Sequence, residues 1–311
     1  MADSKFTTGF LQRFIKSDGD AYTLKEDLHK QLLSFLAHSP NIPTFPAIVR
    51  KIEKIIKSDN FTLEEIEKTA RLDPSLTAQL VRSANVSTYG GGNLHQLHDC
   101  LQRLGIKQLR KILCLHGTIS SFYGFKVKAN WAEFWKHSIL TARFTELLYP
   151  YFDDETGDEY ISGLLHDSGK LFLQRIFPEL FQEVIHLMSE DQCSAENAEK
   201  SILGFVHSDV SANLCDRWEL SPRAIEAVRW HHAPEKNPKA ESRILSHVLQ
   251  FADLCANAYE VNLEEVPKTK PAELFNSPEW NQLIAYKSGR KLDIDFEKEV
   301  LDVRSLADSL T

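Results

Sequence analysis

The sequence has no paired cysteines. Cys100, Cys114, Cys193, Cys215 and Cys255 are scattered, odd in number, and never in C-x-x-C spacing. This excludes a disulfide framework and a thiolate zinc site, and it suits free thiols in a reducing compartment. No apolar run approaches the length of a membrane span, so no transmembrane helix is expected. Residues 1–14 lack the charged-then-apolar order of a secretory signal, and a cytoplasmic protein is expected. Positive charge is not in excess either. There are 36 Lys and Arg against 44 Asp and Glu, a net charge of −8. That argues against an extensive nucleic-acid surface, which needs clustered cations. The local group Lys107, Arg110 and Lys111 reads as a solvated helix face. No stretch sustains the period-two alternation of a strand, and there is no internal repeat or low-complexity tract.

What is present is helix. The 311 residues are 42% apolar and 26% charged, a globular balance with length for one large domain or two ordinary ones. Ile48, Val49, Ile52, Ile55 and Ile56 recur at helical spacing. Thr62 and Glu65 have the spacing of a capping box. Asp73-Pro74 and Ser221-Pro222 each place an N-cap residue before a proline at the first helical position. The run STYGGGN, residues 87–93, breaks the chain, and Gly105 ends the helix that follows. The expected fold class is all-α. VPKTKPA, residues 266–272, reads as a linker, followed by helical patterns in SPEWNQLIAYKS and DFEKEVLDVRSLADSL.

Chemistry-bearing residues collect in the second half. Glu133 and His137 are four apart and share a helix face. His166 and Asp167 lie in GLLHDSGK, within a stretch that reads as one helix from 160 to 177. There they would project about 100° apart, close enough to grip two neighbouring ions from one side. Lys170, one turn on, could meet a phosphate oxygen or a carboxylate. His207 stands near a helix start, and His231 and His232 end another. Asp253 sits among apolar neighbours, where an unpaired carboxylate would be costly. Imidazole and carboxylate are the usual ligands of iron, manganese, zinc and nickel. Two such ions about 3.5–4 Å apart can activate a shared water and polarise a phosphoryl oxygen, and Asp167 could bridge them. Taken singly, a histidine on an apolar helix is more often a hydrogen-bonded core residue. His186 and His247 are reminders of this, and His98-Asp99 reads as a polar helix start. Trp131, Trp135, Trp218 and Trp230 read as packing, and the loop Asp153-Asp154-Glu155 as solvated.

EFWKH, GLLHDSGK, FVHSDVSANLCDRWEL, AVRWHHAP and FADLCA occur in the order of the HD phosphohydrolase superfamily. The chain more closely resembles the HDOD proteins, whose name stands for HD-related output domain. IPTFPAIVRKIEKII, FTLEEIEKTARLDPSLTAQLVRSAN, YGGG and CLQRLGIKQLRKILC look like their N-terminal half. The resemblance covers residues 43–258. It implies an N-terminal helical part in 1–126, an HD-like metal-binding bundle in 127–264 and a helical tail in 265–311. It also implies a ligand set of Glu133, His137, His166, Asp167, His207, His231, His232 and Asp253, with Lys170 contacting phosphate. The cofactor would be divalent metal, one or two ions of iron, manganese, nickel or zinc.

Two functions follow from the resemblance. One is a signalling module that meets a protein partner or a nucleotide ligand. The other is a metal-dependent phosphohydrolase with Asp167 and Lys170 at its catalytic centre. After His231-His232 the chain reads APEKNPKAES, without the Gly-Tyr-Pro signature of the related cyclic di-GMP phosphodiesterases.

Overall fold

In the computed structural model, the described residues are 30, 45–58, 60–85, 92–122, 131–259 and 270–308. Most of the glycine-rich break, the greater part of the 266–272 linker and the expected boundaries at 126 and 264 lie outside them. Fourteen α-helices are found among the described residues, and no strand. The chain divides into two compact units, Pro43–Gly124 and one that holds Phe125–Thr311.

The first unit contains α1 (Ala47–Ile56), α2 (Leu63–Ala70), α3 (Pro74–Ala84) and α4 (Leu97–Phe122). Val49 and Ile52 form the buried stripe of α1, with Ile48, Ile55 and Ile56 less enclosed. The capping box of α2 is complete: Glu65 N–H donates to Thr62 Oγ1 at 3.3 Å, and Thr62 N–H donates to Glu65 Oε2 at 3.4 Å. Asp73 caps α3, accepting from Ser75 N–H at 2.9 Å and Leu76 N–H at 3.0 Å. Its second oxygen lies 3.3 Å from Nε2 of the buried His116, whose Nδ1 meets Gln79 Oε1 at 3.1 Å. One carboxylate therefore caps α3 and ties it to α4. Asp73→Ala is expected to destabilise the protein by about 1–2 kcal/mol, read from urea denaturation of the full chain. An unchanged midpoint would show the cap to be dispensable.

α4 bends at Gly105, whose φ of 68° is a left-handed conformation that a side chain would strain. His98 at the start of α4 pairs with Glu67 at 3.3 Å, in keeping with a polar helix start. Arg110 is exposed and pairs with Glu53 at 3.4 Å.

The second unit contains α5 (Trp131–Leu148), α6 (Glu159–Leu165), α7 (Ser168–Ile176), α8 (Pro178–Asp191), α9 (Ala195–Ile202), α10 (His207–Arg217), α11 (Pro222–Arg229), α12 (Ala240–Tyr259), α13 (Pro278–Leu283) and α14 (Phe296–Asp308). α5 packs against α6, α12 and α14, while α10 packs against α7 and α11. Phe144, Tyr149, Phe172, Phe181 and Phe251 are fully buried in this core, each contributing about 1.5–3 kcal/mol. The tail packs back on the same unit. Arg143 on α5 bonds Glu299 on α14 at 2.7 Å, and the Phe144 and Phe296 rings lie 5.0 Å apart. The acidic loop is only partly solvated in character, because Asp153 pairs with Arg223 at 3.3 Å and Asp154 with Arg290 at 3.2 Å.

One expectation about helix continuity is corrected. Residues 160–177 do not form a single helix; the chain breaks between α6 and α7 at His166-Asp167. Asp167 has φ −102° and ψ 4°, outside the helical range. The break re-aims the two side chains instead of leaving them on a regular helix face. Glycines flank it for a packing reason. A Cβ at Gly163 would strike the Ala142 backbone of α5, and one at Gly169 would strike the carbonyl oxygen of His207. Both contacts are backbone-close, so α6 and α7 can approach their neighbours only without side chains there.

No helix among the described residues is long and apolar enough to cross a membrane. The five cysteines are free, four of them buried.

Candidate metal centre

Five segments of the second unit converge on Asp167. α5 supplies His137, the α6–α7 break supplies His166 and Asp167, and the first residue of α10 is His207. The turn after α11 supplies His231 and His232, and α12 supplies Asp253. His137, His166, Asp167, His207 and His231 are buried.

Two groups of donor atoms form, each within 4.8 Å internally, and Asp167 belongs to both. One is His137, His166 and Asp167; the other is Asp167, His207, His231 and His232. The two carboxylate oxygens divide between them. Asp167 Oδ2 lies 3.3 Å from His166 Nε2 and 3.9 Å from His137 Nε2. Asp167 Oδ1 lies 3.1 Å from His207 Nε2 and 4.0 Å from His231 Nε2. Asp253 borders the first group, with Oδ1 at 3.1 Å from His137 Nε2 and 3.6 Å from His166 Nε2. Lys170 Nζ stands 2.9 Å from Asp167 Oδ2.

The outward ring nitrogens are anchored to acceptors. His166 Nδ1 lies 2.8 Å from the Gly163 carbonyl oxygen, and His231 Nδ1 lies 2.6 Å from that of Val228. His207 Nδ1 meets the Glu199 carboxylate at 2.9 and 3.0 Å. A carbonyl or carboxylate can only accept, so each of these Nδ1 atoms carries a proton. This arrangement suits metal ligation, where an outer hydrogen bond sets ring orientation and tautomer. The inward atoms are different. His137 Nε2, His166 Nε2, His231 Nε2 and Asp167 Oδ1 are buried and make no hydrogen bond among the described residues. The ring nitrogens stand 3–4 Å from the Asp167 carboxylate without hydrogen-bond alignment. Buried polar atoms are rarely left so, and a set that converges on common points fits a cation.

The electrostatics are strongly coupled. Burial opposes charge on His166, but the Asp167 and Asp253 carboxylates overcome it and raise its pKa to about 9. Burial likewise opposes charge on His207, yet the Glu199 and Asp167 carboxylates raise it to about 10. His231 is pushed down to about 3 by burial and by the neighbouring His166 and His207. Burial opposes ionisation of Asp167, but the His166 and Lys170 charges hold its carboxyl well below the usual range.

A model of the HDOD domain family matches residues 42–234. The chain belongs to the HDOD family. Its fold is also that of solved relatives. An HDOD domain protein of unknown function from Geobacter sulfurreducens superposes with a TM-score of 0.76 at 24% identity, covering 94% of this chain and 99% of the other. A protein from Marinobacter aquaeolei, named as a candidate signal transduction protein, gives 0.67 at 18% identity, covering 94% of this chain and 67% of the other. A protein from Shewanella amazonensis, named as a candidate phosphohydrolase, gives 0.65 at 16% identity, covering 88% and 93%. These likenesses establish the fold alone. An uncharacterised protein of Treponema pallidum is 22% identical over 234 residues, 74% of this chain. This HDOD chain spans 45% of that relative's length.

Seven of the eight expected ligands thus gather in the HDOD chain, with Lys170 beside them. Glu133 does not join either donor group. It lies one turn before His137 on α5, half-buried. The four-residue spacing puts it on the same helix face, about 6 Å away along the axis. Glu199 was not anticipated. It is a buried carboxylate on α9, eight residues before His207, and no periodic spacing links the two positions.

Proposed function

We propose that this HDOD chain is a signalling or regulatory module that holds divalent metal, up to two ions, in its second unit. The observation that supports this most is the division of Asp167, with one oxygen toward His137 and His166 and the other toward His207 and His231. His137, His166 and Asp253 would hold an ion on one side of Asp167; His207, His231 and His232 would hold one on the other. The nitrogen and oxygen donors, with no thiolate among them, suit iron, manganese, nickel or zinc. The module would act in the cytoplasm on a protein partner or a nucleotide ligand.

Metal content of protein purified without chelator tests the reading, together with melting curves. A bound ion at 100 times its Kd stabilises by about 2.7 kcal/mol. Manganese or zinc is therefore expected to raise the melting temperature by several degrees, reversed by EDTA. If no metal co-purifies and none shifts the melt, the proposal fails.

A phosphohydrolase is the second reading, favoured by Lys170, whose ammonium lies 2.9 Å from the carboxylate shared by both donor groups. Divalent ions bound there would polarise a phosphoryl oxygen and acidify a water. Lys170 would hold negative charge on the phosphoryl group, and Asp167 would orient the site. A screen of bis-p-nitrophenyl phosphate, nucleotides and cyclic dinucleotides with added metal decides it. Turnover that disappears in Asp167→Ala favours the enzyme; a metal-loaded but inert protein favours the signalling module alone.

A further inference from the structure

Glu199 is a buried carboxylate outside the expected ligand set whose contacts are directed at one of the candidate ligands, His207. Its side chain is 1% exposed. One oxygen accepts the backbone N–H of His207 at 2.8 Å, and both oxygens lie within 3.0 Å of His207 Nδ1. Val206, the N-cap residue of α10, supplies no side-chain cap. Glu199 takes over that task from α9 while gripping the ring of the first helical residue.

We propose that Glu199 is a positioning residue that keeps the His207 proton on Nδ1 and so leaves Nε2 as the donor facing Asp167. The inference rests on the metal-holding reading above. A carboxylate has no proton to offer at this site, so the Nδ1 it faces must be the donor. Nε2, on the opposite side of the ring and 3.1 Å from Asp167 Oδ1, is then the atom whose lone pair is exposed when an ion replaces a proton. His166 and His231 obtain the same orientation from neutral backbone carbonyls. His207 differs in having a full negative charge behind it. That charge strengthens the ring as a donor and favours an ion in the three-histidine half.

Glu199→Leu separates this role from simple helix capping. Leucine is close in volume but offers neither acceptor nor donor, whereas a glutamine oxygen in the place of Oε2 would still lie 2.9 Å from Nδ1 and could accept its proton. With no acceptor behind Nδ1, the ring proton moves to Nε2, which faces Asp167 Oδ1 at 3.1 Å, and leaves no lone pair toward the metal. If Glu199 merely caps α10, its loss costs stability but leaves the ring proton where it was.

The experiment is nitrogen-15 NMR of the histidine rings in metal-free full-length protein, paired with zinc and manganese titrations of wild type and Glu199→Leu. In wild type, His207 Nδ1 is expected to carry a proton. In the variant, Nδ1 is expected to lose it and Nε2 to hold it. Ion affinity in the His207 half should fall about 10–100-fold, with the His137–His166 half unchanged. A bare Nδ1 in wild type overturns the proposal without need of any variant. So does a variant that keeps Nδ1–H or binds both ions as wild type does. If wild type binds no metal, the metal-holding reading falls, and the ring measurement still decides where Glu199 places the proton.

Discussion

Asp167→Ala is expected to abolish metal binding in both halves of the site and to destabilise the metal-free protein by about 3–5 kcal/mol. Both effects come from one carboxylate. Its two oxygens are the acidic donors common to the two histidine groups, so its loss removes a ligand from each. In the metal-free protein, the same carboxylate is the counter-charge for Lys170 at 2.9 Å, His207 at 3.1 Å and His166 at 3.3 Å. These cationic groups are almost wholly enclosed. Leaving them without a partner is more costly than the pairing itself was worth, since desolvation is no longer offset. Asp167→Asn separates the contributions: it keeps the volume and most contacts but loses the charge and half the acceptor capacity. Asp253→Asn, by contrast, should weaken only the ion beside His137 and His166. Metal titration and urea denaturation of the three variants test the scheme. Two bound ions in Asp167→Ala, or a stability within 1 kcal/mol of wild type, would sink the idea that Asp167 joins the halves.

Gly169→Ala carries the second large effect, and it comes from a backbone position. The added methyl would fall on the His207 carbonyl oxygen and within 2.9 Å of the Ser211 amide nitrogen and hydroxyl. Two of those three atoms are backbone at the start of α10, which cannot rotate away as a flexible side chain could. Gly169 N–H also donates to Ser211 Oγ at 2.8 Å, fixing the same approach. α7 must therefore move off α10. Asp167 sits at the N-terminus of α7 and His207 is the first residue of α10, so the shift falls on the 3.1 Å contact between them. Overpacking of this kind costs about 1–3 kcal/mol. Affinity in the His207 half is expected to fall at least about tenfold, because donor positions must hold to within about 0.5 Å. Ser211→Ala, which removes the hydrogen bond but adds no atoms, should lose much less. Equal metal affinity in Gly169→Ala and wild type would refute the close-approach account.

The local features of the helices could be read from the chain. Thr62 with Glu65, Asp73 with Pro74, and Ser221 with Pro222 act within one turn of backbone, and the structure realises all three. Gly105 interrupts α4 as the pattern suggested. Seven ligand candidates were recognisable because imidazole and carboxylate groups on apolar helices need partners, and because their order matched a family. Glu133 followed from the same helix-face logic and stands outside both donor groups. The helix expected across 160–177 is not formed as one element. Its apolar spacing is helical on both sides of His166-Asp167, and nothing in that pattern marks the break at the dipeptide.

The sequence by itself determined an all-α chain, the caps that start its helices and the residue types able to hold a cation, because each depends on neighbours within about a turn. Only the tertiary structure decided that Asp167 divides its oxygens between two histidine groups. It alone showed that Glu199 stands behind His207 and that Gly163 and Gly169 are spaces for another helix. These are contacts between α5, α6, α7, α9, α10 and the turn after α11, set by how apolar faces pack and how buried charges find counter-charges. Such contacts join residues with no fixed separation along the chain.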